Sequence, residues 1–256
     1  MSAKKETKVE LKTISEINEP CFEFTVKTTP PISFCSTGLF FMSLAHEFGN
    51  IKYKKYSWRN DPEGSNSLPE DSLNAIFRHV TLMQMGFKYD SETKFFHLGH
   101  ALARTQSLVS NTYRKILTKT DKKLDTRAFS ETLFTASKTS LIYDFEYINL
   151  LDQISSEVLY SLGKMSDSLI NKMFPSKDNV IYYEQAYLDT VQKCIIILMT
   201  KDRIIDIDSL QKDILLEDLI LYNLLFLAMT YTPNDMKYAW DWYNNLPKKD
   251  VKCYNY

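Results

Sequence analysis

A mainly α-helical protein is what this sequence predicts, and three observations carry that expectation. Only six glycines and eight prolines occur in 256 residues, leaving few places for a positive-φ turn. Apolar residues recur at three- and four-residue spacing through most of the chain. Alternating β-branched runs bounded by turn dipeptides, the mark of strands and hairpins, are scarce.

Residues 1–35 read as an N-terminal arm, because "CFEFTV" alternates only weakly and Pro30 and Pro31 block a helix. "STGLFFMSLAHEF" then sets Leu39, Phe40, Leu44 and Phe48 at helical spacing behind Ser36 or Thr37 as N-cap. The stretch 49–69, rich in Gly, Asn, Asp, Ser and Pro, reads as a loop. A helix over about 70–85 keeps Leu73, Ile76, Phe77, Val80 and Gln84 in period. Glu70 and Asp71 suit its electropositive start, and Gly86 stops it. After "FKYDSET", in which Ser91 or Thr93 can cap, a helix spans about 95–113. It carries Leu98, Leu102, Val109 and Tyr113 as an apolar stripe, with His97, His100, Ala101 and Arg104 on another face.

The lysine-rich "KTDKKLDTR" marks a boundary between a helical domain at 36–113 and a helical C-terminal region at 114–256. Helices are expected there at about 127–142, 144–162, 165–173, 180–200, 208–230 and 233–244, punctuated by Pro175 and Pro233. "LPEDSLNAIFRHVTLMQM" and "LLEDLILYNLLFLAMTYT" share an L-x-E-D opening. A decayed repeat gives that, and so do two acidic-started helices alike by chance. The C-terminal region is accordingly a degenerate second copy or an interaction module.

A net charge of −1 argues against a nucleic-acid or membrane-surface partner, and the clustered lysines read as solvated faces. Four cysteines, at 21, 35, 194 and 253, form no C-x-x-C pair, so neither a disulfide framework nor a zinc ribbon is expected. The opening "MSAKKETKVELK" lacks the apolar core of a leader peptide. "CIIILM" and "LILYNLLFLAM" fall short of the roughly 20 residues a membrane helix needs and read as buried helices. The expected location is the cytoplasm. No G-x-G-x-x-G, P-loop, G-x-S-x-G or H-E-x-x-H occurs, so a nucleotide would need something other than a glycine-rich cradle for its phosphates.

"GFKYDSETKFFHLGH", residues 86–100, gathers Asp90, Glu92, His97 and His100 in a chain with four histidines. Two histidines at i, i+3 on a helix, with carboxylates just before them, suit Mg²⁺, Mn²⁺ or Zn²⁺. A helix start with half-buried, hydrogen-bonded histidines gives the same spacing. On the preceding helix Arg78 and His79 diverge by about 100°, so one faces a site and the other supports it. Arg78 suits bidentate contact with phosphate oxygens. In "KYKKYSW", Tyr53, Tyr56 or Trp58 can stack a base while a lysine such as Lys52 meets phosphate; a surface loop anchored by one tryptophan reads the same way.

The order "GNIKYKKYSW", "AIFRHV", "GFKYDSETKFFHLGHA" resembles the N-terminal domain of the phage dATP/dGTP diphosphohydrolases, which are associated with MazG-like nucleotide hydrolases. That family reads G-A-x-K-Y-G-x-x-N-W, then R-H-L, then G-E-x-x-D-x-E-T-G-x-x-H-L-x-H-A. Gly49, Lys52, Tyr53 and Trp58 fall on the first motif, Arg78 and His79 on the second. Gly86, Asp90, Glu92, Thr93, His97, Leu98, His100 and Ala101 fall on the third. The resemblance covers about residues 36–112 and departs at Lys54, Ser57, Lys94 and Arg104.

The resemblance implies a metal-dependent hydrolase that splits a (deoxy)nucleoside triphosphate into monophosphate and pyrophosphate. Mg²⁺ or Mn²⁺ would be held by Asp90, Glu92, His97 and His100. Asp90, Glu92, Arg78 and His79 would carry catalysis, and Lys52, Tyr53, Trp58 and Arg104 would bind the nucleotide. A homo-oligomer in an infected host cell is implied. The departures favour an alternative, an inactive relative that binds a nucleotide, or a host protein through its C-terminal helices.

Overall fold

The computed structural model describes residues 32–52, 69–120, 153–165, 180–200 and 214–246. They form seven helices: α1 (Ile32–Lys52), α2 (Pro69–Gln84), α3 (His97–Thr120), α4 (Ser156–Gly163), α5 (Val180–Thr200), α6 (Leu216–Ala228) and α7 (Pro233–Asn244). The only β-type pairing among the described residues is an isolated antiparallel bridge between Tyr89 and Phe96. The mainly α expectation holds. α1 begins at Ile32 and runs to Lys52, so residues 32–35 of the expected arm and 49–52 of the expected loop are helical, and Ser36 and Thr37 lie inside the helix and do not cap it. The rest of the arm and of the loop, and the helices expected at 127–142 and 165–173, fall wholly or almost wholly outside the described residues.

Local chemistry sets the helix ends. Pro69 opens α2, where its missing N–H costs nothing, with Glu70 and Asp71 in the first turn. Gly86, at φ +86°, closes it. The Gly86 N–H reaches the Met83 carbonyl and the Phe87 N–H the Leu82 carbonyl, both at 2.9 Å, the paired bonds of a Schellman ending. Thr232 caps α7 by accepting the Asp235 N–H, while Asp235 Oδ2 takes the Thr232 N–H at 2.9 Å and Pro233 opens the helix. The expected helices at 180–200 and 233–244 stand as read. The one expected at 95–113 starts at His97 and runs on to Thr120, because residues 88–96 are used in an extended turn. Ser91 and Thr93 lie in that turn and are not its N-cap.

The most apolar helix, α6, lies at the centre. Ile220 through Ala228 are all buried, and α6 packs on α1, α3 and α5. The contact with α1 is close because Gly38 sits there: a Cβ on it would stand 2.5 Å from Leu225 Cδ2 and 3.2 Å from Ala228 Cβ. In turn α2 packs on α3 and α5, and α4 on α3. The expected stripe of α3 is buried at Leu98, Leu102, Val109 and Tyr113. Phe77, read as part of the buried period of α2, is exposed; the inward face is instead Leu73, Ile76, His79 and Val80. No described helix is long and apolar enough to cross a membrane.

Candidate functional site

The turn between α2 and α3 is built around Asp90. Its N–H donates to the Phe95 carbonyl at 2.7 Å, the His97 N–H to the Lys88 carbonyl at 3.1 Å, and the Lys94 N–H back to the Asp90 carbonyl at 2.9 Å. Lys94 takes φ +60°, the left-handed conformation that turns the chain back. Asp90 Oδ1 accepts three hydrogen bonds, from the N–H of Glu92 (3.1 Å), the N–H of Thr93 (2.9 Å) and the Thr93 hydroxyl (3.1 Å). That saturates one oxygen and fixes the plane of the carboxylate. The other, Oδ2, stands 3.9 Å from His97 Nδ1.

His97 opens α3 and is buried, and facing it is His79 from the inward stripe of α2. Their Nδ1 atoms are 2.9 Å apart. His79, Asp90 and His97 each offer one ligand atom, all within 4.8 Å of one another, a group that could hold a metal ion. Ligand atoms about 2.1 Å from a shared ion stand about 3.0–3.4 Å apart across octahedral or tetrahedral edges, which the two nitrogens nearly meet. His100 completes the cluster as support. Its ring stacks on His79 with centroids 5.2 Å apart, and its Nε2 lies 2.7 Å from Thr93 Oγ1. With the Thr93 proton directed at Asp90, His100 Nε2 is assigned as donor, so an Asp90–Thr93–His100 chain ties the turn to α3.

The electrostatics keep the rings neutral. Burial, with repulsion from His100, His97 and Arg78, pushes His79 down to about 3 against the pull of Asp90. Burial likewise lowers His97, and takes His100 down to about 4 with help from His97, Arg104 and Arg78. Partial burial alone would raise Asp90, but its bonds from Thr93 and Glu92 and the field of His100 hold it below the usual carboxylate range. The result is a pair of neutral imidazoles beside an ionised carboxylate; across the 2.9 Å Nδ1–Nδ1 contact one ring donates its N–H to the other, and a cation bound between them would have to replace that proton.

The structure thus brings together Asp90, His97 and His79, with His100 behind them. Arg78, on the exposed side of α2, and Arg104, one turn beyond His100, place positive charge at the edge of the cluster. Glu92 stands apart. Two residues after Asp90 in the turn, it points to solvent and pairs with Lys52 at 3.2 Å, with 76% of its side chain exposed. Tyr53 and Trp58 lie outside the described residues. The inward place of His79 accords with the α2 period, since it is three residues after Ile76, while Arg78 faces out. Tyr238 and Trp242, which also touch the turn, carry no such signal.

No curated protein and no solved structure matches the chain. The histidine and carboxylate cluster lies within a stretch that does match a known family: residues 20–121, which hold α1 through α3, match the model described as dATP/dGTP diphosphohydrolase, N-terminal.

Proposed function

We propose that the chain is a divalent-metal-dependent diphosphohydrolase of deoxynucleoside triphosphates, releasing the monophosphate and pyrophosphate. The observation that supports this best is the convergence of two neutral imidazoles and one carboxylate, His79, His97 and Asp90, inside the matched stretch. Two nitrogen donors and one oxygen suit Mn²⁺ better than Mg²⁺, which prefers oxygen ligands alone. A cation bound there would polarise a phosphate oxygen and lower the pKa of a water molecule.

The chain's own residues have separable tasks. Asp90 supplies the single negative charge through Oδ2, held by its three bonds at Oδ1. Arg78 and Arg104 offer planar forks to non-bridging oxygens and offset the charge that builds on the departing pyrophosphate. In the overall reaction a water oxygen bonds to the α-phosphorus and the bond to the α–β bridging oxygen breaks. Pyrophosphate leaves with that electron pair, and a proton passes to solvent. At Lys94, a position where the resemblance places a glycine, this lysine takes a left-handed angle that glycine adopts without strain. The purine deoxynucleotides named by the matching family are the first substrates to try.

The test is pyrophosphate release from dATP and dGTP with Mn²⁺ or Mg²⁺. Asp90→Asn and His79→Ala are each expected to lose about 100-fold or more, the scale of removing a group that holds a catalytic ion. Full turnover in Asp90→Asn would sink the proposal. No turnover in the native chain, with dATP still raising its melting temperature, would identify a nucleotide-binding relative without hydrolase activity.

A further inference from the structure

One face of α7 holds the turn between α2 and α3. Asp235, Tyr238 and Trp242, spaced i, i+3 and i+7, lie along a single helical stripe. Asp235 Oδ1 accepts from Lys88 Nζ at 2.6 Å. The Tyr238 hydroxyl donates to the Lys94 carbonyl at 2.6 Å, and Trp242 Nε1–H to the Thr93 carbonyl at 2.8 Å. Trp242 also stacks on Phe95, centroids 4.1 Å apart and planes 23° from parallel. Tyr238 packs on Phe96 at 5.4 Å and on Tyr89 at 4.9 Å.

These grips fall where the turn is most demanding. Thr93 supplies two of the three hydrogen bonds at Asp90 Oδ1, and Lys94 is the non-glycine residue at φ +60°. A left-handed lysine persists only where its surroundings over-determine it, and a donor fixed on each carbonyl does that. Without them the turn could relax and swing the carboxylate away from the histidines.

We propose that α7 is the positioning element of the candidate centre, with Tyr238 and Trp242 fixing the 90–95 turn so that Asp90 Oδ2 faces His79 and His97. That these residues hold a cation rests on the proposed function; that α7 sets their geometry does not. Because α7 lies beyond residue 121, the stretch that matches the family does not contain this support for its own turn. The C-terminal region is then part of the site's support, although among the described residues none of its side chains belongs to the His79–Asp90–His97 group.

The experiment uses the full chain with Tyr238→Phe and Trp242→Phe combined, which removes both donors and keeps a ring at each place. Lys237→Ala, on the exposed side of α7 against Asp241, serves as control. Two quantities are measured: amide hydrogen exchange at Glu92 and Thr93, and Mn²⁺ affinity by calorimetry. Exchange at those two amides is expected to quicken about 10-fold or more while the middle of α2 and α3 is unchanged. Mn²⁺ affinity is expected to fall about 10-fold, as when a ligand's supporting partner is lost. Unchanged exchange would overturn the proposal, and so would quicker exchange with undiminished Mn²⁺ affinity. If the native chain binds no Mn²⁺, the cation reading falls and the exchange rates alone decide whether α7 sets the turn. Should the double variant fail to fold, Tyr238→Phe alone, which deletes one hydroxyl, is read the same way.

Discussion

Lys94 is the residue on which the 90–95 turn hinges. An L-residue at φ +60° costs of order 1–2 kcal/mol against its ordinary conformations, and glycine takes the angle without that cost. Glycine also loses more freedom on folding, which offsets part of the gain. Lys94→Gly is therefore expected to stabilise the native chain by about 0.5–1 kcal/mol, read as a higher urea midpoint at unchanged slope. A destabilised Lys94→Gly variant would mean that the lysine side chain contributes something that outweighs the backbone angle. Part of the candidate cluster is legible at this scale: spacing brings Asp90 and His97 near each other, while the sequence alone leaves open whether Arg78 or His79 faces inward. Glu92 misled for the same reason that Asp90 did not: nearness in sequence says that a carboxylate is available, while the turn decides which one faces the histidines. Asp90 sits at the start of the turn with its oxygen bonded inward, and Glu92, two residues on, projects outward to Lys52.

At the scale of elements, α7 is held to the turn partly by charge. Burial alone would raise the carboxyl of Asp235, but the bonds from Lys88 and from the Thr232 N–H and hydroxyl outweigh it and hold it below the usual range. Lys88 is the charged group that faces it, with Tyr231 the neighbouring titratable one. A carboxyl depressed by folding contributes stability that is complete above its unfolded value of about 3.9 and is lost as pH falls through the native value. Asp235→Asn is thus expected to be less stable than the native chain by about 1 kcal/mol at pH 7, with the gap closing as pH falls through the depressed native value. Urea unfolding at a series of pH values checks this, and a gap that stays constant with pH would refute it. The helix α7 itself was readable to the residue, since Thr232, Pro233 and Asp235 spell a capped start. Its attachment was not: the contacts cross about 145 positions, and nothing local in "DMKYAWDW" says which turn those aromatic residues meet. The start of α3 was misplaced for a related reason, because "SET" resembles a cap and the antiparallel pairing of Tyr89 with Phe96 that displaces it leaves no alternation in the sequence.

Across the whole molecule, α6 decides how the helices behave together. It reaches α1 and α3, which carry the matched stretch, and also α5, so the described core is continuous across the lysine-rich segment after residue 113. Its polar start adds to this. Asp218, fully buried, accepts the Tyr113 hydroxyl of α3 at 2.7 Å and the Ser161 hydroxyl of α4 at 2.5 Å, with Lys164 Nζ 3.5 Å away. Such a network is stable only while all its members stay in place, because a lone buried carboxylate is costly. Leu225 is the sharpest probe of that coupling: it is fully buried and lies directly over Gly38 of α1. Leu225→Ala leaves a cavity at the α1–α6 contact that backbone on both sides restrains, at a cost of about 2–5 kcal/mol. If the core is one cooperative unit, that cost appears everywhere. Amides of α3 lose protection by the same free energy as amides of α6, and unfolding followed by far-ultraviolet dichroism and by tryptophan fluorescence stays superimposed. Two domains divided after residue 113 would behave otherwise, with α1 to α3 retaining a separate transition while α5 and α6 unfold early. Hydrogen exchange on Leu225→Ala separates the two cases, and one common loss of protection is the outcome that the packing of α6 requires.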